Sequence, residues 1–302
     1  MSSQRGFTLI ELAIVLVIVT ILIGGLAMPL SAQIQARRIA ETKKTLEEAR
    51  EAIIGYAMSN IVNRTCECSY AFDSPTSVYR LDLPASTCPV SLCPATTMSD
   101  APLTLPITRH YLPCPDAQSD PEPGVDNDGD GNMSDANNGL EDRKADGTCL
   151  EDTGNLPWAT LGAAAQDAWG NRLRYAVHAD LTSKTNGFHN GSESMPTSTW
   201  YQVCSAENCP VVDVAADVPV VLVSYGANGR GARNVNLPFG SPTPALPPGT
   251  SAKEIENLDA DHRYVSRPPS KPGDAAGEFD DLVVWLPFSV LINRVCPAGG
   301  CP

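Results

Sequence analysis

Residues 1–30 read MSSQRGFTLIELAIVLVIVTILIGGLAMPL, and one residue is at odds with its surroundings. Glu11 places a carboxylate at the head of a run, Leu12 to Leu30, that only Thr20, the glycines and Pro29 interrupt. A helix needs about 20 apolar residues to cross a bilayer. The run therefore predicts a membrane-spanning helix with Glu11 at or inside the boundary, where an ionisable side chain is costly and calls for a partner. A secretory signal peptide offers none, having an apolar stretch of about 7–15 residues followed by a small-residue cleavage site. Here the stretch is longer and the small residue, Gly6, precedes it. Cleavage after Gly6 would leave the apolar segment on the mature chain with Phe7 at its start. The new α-amine would then stand four residues before Glu11 and share its helical face. An ammonium is the counter-charge that keeps such a carboxylate ionised.

The stretch GFTLIEL, Gly6 to Leu12, resembles the processing site of type IV pilins and of the related pseudopilins of type II secretion. The resemblance implies that a prepilin peptidase cuts between Gly6 and Phe7 and N-methylates Phe7. It also implies that Glu11 pairs with the α-amine of a neighbouring subunit during filament assembly on an inner-membrane platform. The expected product is a structural subunit, inserted once in the inner membrane with a periplasmic domain and then drawn into a pilus or pseudopilus with other pilin-type subunits. Charge alone favours the opposite topology, since Arg5 precedes the span while Arg37, Arg38, Lys43 and Lys44 follow it. The cleavage motif and the cysteines outweigh this, because both need the bulk of the chain outside the cytoplasm.

Roughly 240 of the 302 residues remain after the helix and its extension, enough for one large or two small domains with a core. With 35 acidic against 21 basic residues the formal charge is -14, and no long basic run occurs after the first 50 residues, which argues against nucleic acid as a partner. The 26 prolines and 23 glycines concentrate after Cys66 and predict short strands joined by turns. Ten cysteines include the close pairs Cys66 and Cys68, Cys88 and Cys93, Cys204 and Cys209, and Cys296 and Cys301. That usage favours disulfides in an oxidising compartment over zinc, the wide spacings being at the limit of finger motifs. Cys66 and Cys68 are too close to bridge each other comfortably. Cys88 and Cys93 are their candidate partners, and Cys114 and Cys149 are candidates to close the loop between them.

Beyond Pro29 the pattern turns amphipathic. Ile39, Thr42, Leu46, Ala49, Ile53 and Tyr56 recur at alternating spacings of three and four, a stripe suited to packing on the chain's own domain. Residues 1–6 thus read as a leader, 7–30 as the membrane and filament-core helix, 31–60 as its amphipathic extension, 61–155 as a cysteine-rich loop region, and 156–302 as an antiparallel sheet region. Within the loop region, DNDGDGN (126–132) alternates Asp126, Asp128 and Asp130 before Gly131 and Asn132, an oxygen-rich spacing that suits Ca2+. Position twelve is Asn137, so the closing ligand falls to Asp135, Glu141 or Asp142.

Strands are predicted in DAWGNRLRYAV (167–177), VPVVLVSYGANGRG (218–231) and DLVVWLPFSVLI (281–292), the last ended by Pro287. The expected fold class is α+β: a long N-terminal helix on a small antiparallel sheet, with a disulfide-rich insertion. The Trp169-Gly170-Asn171 turn and the turn from Ser224 to Ala227 resemble the sheet region of the major pseudopilin of type II secretion. In that family the second turn carries an aspartate that helps hold calcium. Asn228 stands there in this chain with Arg230 close behind, so the site is not carried over. The long insertion departs from the compact major subunit and suggests a minor subunit. His110, His178, His189 and His262 are scattered, with no nucleophile or metal-pair spacing around them. Catalysis by a tethered hydrolase is therefore the weaker alternative, and adhesion or cargo binding by the domain is another. Replacement of Gly6 by leucine should leave the precursor uncut in a host with prepilin peptidase, seen as a full-length mass of the membrane-extracted protein; a trimmed mass would contradict the assigned site.

Overall fold

The computed structural model describes residues 9–68, 70–73, 78–81, 103–118, 137–144, 146–184, 187–188, 200–237, 243–259, 261–271, 273–275 and 277–296. Helix α1 (Leu9–Ser59) is continuous over 51 residues. It is followed by β1 (Ile61–Cys68), β2 (Tyr70–Asp73), β3 (Val78–Leu81) and β4 (Leu103–His110). Next come β5 (Thr153–Asn155), α2 (Trp158–Leu161), β6 (Arg174–Val177), β7 (Tyr201–Cys204), β8 (Ala215–Val218) and β9 (Val220–Ser224). The chain continues through α3 (Ala252–Glu256), β10 (Arg263–Val265), β11 (Leu282–Leu286) and α4 (Phe288–Val295). The class is α+β.

A four-stranded antiparallel sheet in the order β11-β9-β6-β5 forms the middle layer. Its central strand, Val-Val-Leu-Val-Ser, is rich in β-branched residues and buried at every position. Because successive side chains of a strand point to opposite faces, Val220 and Leu222 join one core and Val221 and Val223 another. The same division runs through the neighbours. Tyr175 and Val177 of β6 and Leu282 and Leu286 of β11 face the first core, Ala176, Val283 and Trp285 the second.

Helix α1 covers the first face. Thr42, Leu46, Ala49, Ile53, Ile54 and Ala57 are all buried, on a stripe at helical spacing, and Ile39 is packed at its margin. Leu291, Ile292 and Val295 of α4 close the same core beside it. Pro287, which has no amide to donate to a ladder, ends β11 and precedes the first turn of α4. On the exposed side of α1, Lys44 pairs with Glu48, Arg50 with Glu47 and Glu51 with Arg294.

Three features differ from the sequence expectation. A second sheet, β10-β7-β8, lies on the far face of the first, so the sheet region has two layers, and β10 runs parallel to β7. The strands alternate in space but not in polarity, since both faces are buried. Finally, the region read as irregular loop holds four strands: β1 pairs with β4 over eight residues and β2 with β3 over four. The partner of β1 lies more than 30 residues downstream, and its own sequence, Leu-Thr-Leu-Pro-Ile-Thr-Arg-His, carries a proline that argues against a strand when read alone.

The junction between α1 and the cysteine-rich region is held by charge. Glu141 accepts from the Tyr56 hydroxyl at 2.9 Å and the Cys114 amide at 3.0 Å and pairs with Arg143 at 2.9 Å. Arg143 is buried and also donates to the carbonyls of Leu112, Gly147 and Thr182. Burial would lift the Glu141 carboxyl, but Arg143 holds it below its usual range. His110 Nδ1 lies 2.8 Å from the Ala57 carbonyl and ties β4 to the end of α1. Disulfides join Cys114 to Cys149 and Cys204 to Cys209, and Cys296 is also disulfide-bonded. Arg143→Ala should cost about 3–5 kcal/mol by stranding Glu141 and three carbonyls, measured by urea unfolding; a loss under about 1 kcal/mol, the scale of a surface pair, would show the network to be superficial.

Candidate functional site

The residues singled out by the sequence fall in three places. Glu11 lies in the first turn of α1, where a carboxylate also complements the positive end of the helix dipole. Gly6 and Phe7 lie outside the described residues, as do Asp126, Asp128, Asp130 and Asn132. Cys88, Cys93 and Cys301 also lie outside them. Of the residues weighed as closing ligand to the acidic loop, Glu141 is engaged by Arg143, Tyr56 and Lys184, and Asp142 is buried against the Ala117 amide.

From Leu9 to Ile21 every side chain of α1 is exposed, among them ten large aliphatic residues whose exposure ranges from 88% at Leu9 to 41% at Val19. Exposed apolar surface on this scale marks a membrane or protein interface. At 1.5 Å per residue, Leu9 stands about 45 Å along the axis from Ile39, where the helix meets its domain. Among the described residues no helix is long and apolar enough to cross a membrane.

The two turns noted in the sequence meet beside α1. Asp167 accepts from the amides of Trp169 and Asn171, both at 2.9 Å, and from the Ser224 hydroxyl at 2.7 Å. The Asn171 side chain donates to the Gly226 carbonyl at 3.2 Å, and the Ala168 amide donates to Thr42 of α1 at 3.2 Å. Gly226 has φ +61°, and a Cβ there would fall 2.3 Å from the Asp280 carbonyl oxygen, so no larger residue fits.

Against the second turn, Glu254, Asp280 and Asp281 bring carboxylate oxygens within 4.8 Å of one another. The residue types would suit a cation, but the turn brings its own charge. Arg230 pairs with Glu254 at 3.3 Å and Glu278 at 2.8 Å. Asn228 donates through its side chain to Glu254 and through its amide to Asp280. Burial pushes the Asp281 carboxyl well up, against a 2.8 Å hydrogen bond from Asn257, and pushes Asp280 up to about 6. The Arg230 guanidinium and the Asn228 side chain and amide thus engage the cluster from the turn itself. A groove of about 500 Å³ runs between it and α1, lined by Gln35, Ile39, Trp169, Lys271 and Glu278. Arg230 was noticeable in the sequence. Glu254, Asp280 and Asp281 carried no signal, being distant in the chain and unmatched to any spacing motif.

Over residues 1–27 the chain matches the family model of the prokaryotic N-terminal methylation motif. The chain has a pilin-type N-terminus. This motif is the hallmark of type IV pilins and pseudopilins, and it implies processing by a prepilin peptidase and assembly with other pilin-type subunits. It points to a structural subunit rather than an enzyme. Comparison of the chain with curated proteins and with solved structures gives no match. His178 accepts from the Asp180 amide at the head of a 3-10 turn and packs near Trp200.

Asp280 holds its proton more tightly when folded than when unfolded. Its stabilising contribution is therefore complete below its ordinary pKa of 3.8 and is lost as pH rises through about 6. Relative to wild type, Asp280→Asn should gain about 1–2 kcal/mol between acid and neutral pH, after allowance for solvent screening. Urea titrations at several pH values test this, and parallel curves for the two proteins would refute it.

Proposed function

We propose that the chain is a pilin-like structural subunit, and a minor one, of a type II secretion pseudopilus or a type IV pilus. Prepilin peptidase cuts between Gly6 and Phe7, the segment 7–30 spans the inner membrane once, and the mature subunit then moves from lipid into a filament. The observation that carries this reading is the methylation motif over residues 1–27, continuous with a helix whose apolar end is exposed while its other end is buried in the domain. The same surface suits both environments, because lipid tails and the apolar flanks of neighbouring helices are equally dry. Glu11 makes the transfer directional. In lipid its charge is costly alone and stabilised by the α-amine of Phe7 on a neighbouring subunit.

Minor status is supported by the insertion between α1 and the central sheet, which gives the domain β1 to β4 and the Cys114–Cys149 disulfide in addition to a compact helix-on-sheet core. The two turns joined by Asp167 and Ser224 support the secretion branch, by their resemblance to the major pseudopilin.

Glu11→Val should leave cleavage and methylation intact, giving a mature mass that begins at methylated Phe7, while lowering the amount recovered in sheared filament fractions by about tenfold, one ion pair in lipid contributing on the order of 1–2 kcal/mol. Undiminished recovery of the variant in filaments would remove the proposed role of the acid. A native mass retaining residues 1–6 would remove the reading as a whole.

A further inference from the structure

Two buried acids, Asp116 and Asp142, stand at the neck of the disulfide-closed region. Asp116 is 0% and Asp142 1% exposed. Asp116 is fixed by paired backbone hydrogen bonds to Asn155, at 3.0 and 2.8 Å. The Asp142 amide donates to the Pro115 carbonyl, and its carboxylate accepts from the amide of Ala117, so Asp142 is held against the backbone that flanks Asp116. Asn137, in the left-handed region at φ 63°, completes the cluster. Its amide donates to Ala117 O, its side chain donates to Gln118 O, and its Oδ1 accepts from Asn155, all within 3.0 Å. The Cys114–Cys149 disulfide and the bond from the Leu150 amide to the Asp142 carbonyl brace the other side.

Neither carboxylate oxygen of Asp116 receives a hydrogen bond of acceptable geometry, although the amides of Gly139 and Asn137 and the Asn155 side chain face it. A carboxylate without solvent or firm partners is among the most expensive groups to bury. Arg143 serves Glu141 and three carbonyls, and Arg172, whose charge reaches Asp116, stacks on Trp158 at 3.7 Å and gives a hydrogen bond to the Ala165 carbonyl. Burial, followed by the charge of Asp142, pushes the Asp116 carboxyl well above its ordinary range. A shared proton would lower the charge of the pair and still leave Asp116 poorly bonded. A cation would satisfy both acids. The available donors are all oxygens on a braced, irregular backbone, which suits a hard ion with many flexible ligands better than a transition metal that needs nitrogen or sulfur.

We propose that Asp116 and Asp142, with Asn137 as a neutral oxygen donor beside them, bind a divalent cation of the calcium class at the neck of the cysteine-rich region. These ligands are distinct from Asp126, Asp128 and Asp130, and the site does not depend on the filament assignment.

The full-length chain in detergent, stripped with chelator and titrated with calcium chloride, tests it through thermal unfolding and calorimetric heat. Calcium should raise the melting temperature of wild type, and Asp116→Asn should weaken calcium binding by about tenfold or more, through loss of ligand charge. Terbium emission excited through Trp158, whose indole fills the space left by the missing side chain of Gly139, should fall in parallel. The triple variant Asp126→Asn, Asp128→Asn, Asp130→Asn should keep the Asp116-dependent binding. No response of wild type to calcium or terbium overturns the site, as does unaltered affinity in Asp116→Asn. If Asp116→Asn fails to fold, the triple variant decides: retained binding supports the site, and complete loss moves it to residues 126–130.

Discussion

The packing of one helical stripe, Thr42 to Ala57, on the face of β9, β6 and β11 is the contact on which the rest of the molecule depends. The helix is a single continuous element with two demands on it. Its first turns present aliphatic side chains to whatever surrounds the domain, and its last turns are consumed by the domain's own core. Only the buried half fixes the orientation of the exposed half. A stripe of six buried residues over about four turns leaves little freedom for the helix to roll, so the direction in which Glu11 projects is set by contacts more than 30 residues away.

Much of this was legible in the chain. The stripe on α1 could be read because a helix repeats its buried positions at a spacing that no other element shares, and β9 could be read because four successive β-branched or aliphatic residues between a proline and a glycine turn favour little else. The opposite faces of β6, β9 and β11 could not. Alternation reveals a face only when one side is wet, and here a second sheet dries the other side. The strands of the cysteine-rich region were hidden for a different reason. The pairing of Ile61 with His110 closes a long loop, and nothing within either segment announces its partner. Asp116 was equally silent: a single acid in a proline-rich stretch acquires meaning only when Asp142 is folded against it.

Charge is handled by placement rather than by number. The chain carries 35 acids and 21 bases, and two of its bases each answer more than one acid or carbonyl: Arg143 at the neck and Arg230 at the second turn. Arg230 is informative because the residue before its glycine, Asn228, offers an amide in the position where the resemblance would place an acid. Losing one negative group and gaining a guanidinium changes the turn from a place that attracts a cation into one that contains its own.

The last strand and last helix lie against the first helix, and the pair between Glu51 and Arg294 joins residues 243 apart in sequence. During synthesis, α1 is made well before β11 and α4 and waits with its stripe uncovered until they emerge, more than 220 residues later, before its founding contact can form. A truncated product would display the same stripe permanently. The arrival of β11 and α4 is therefore written into the surface of the helix, where an uncovered face distinguishes a subunit still lacking them from one that has closed its core.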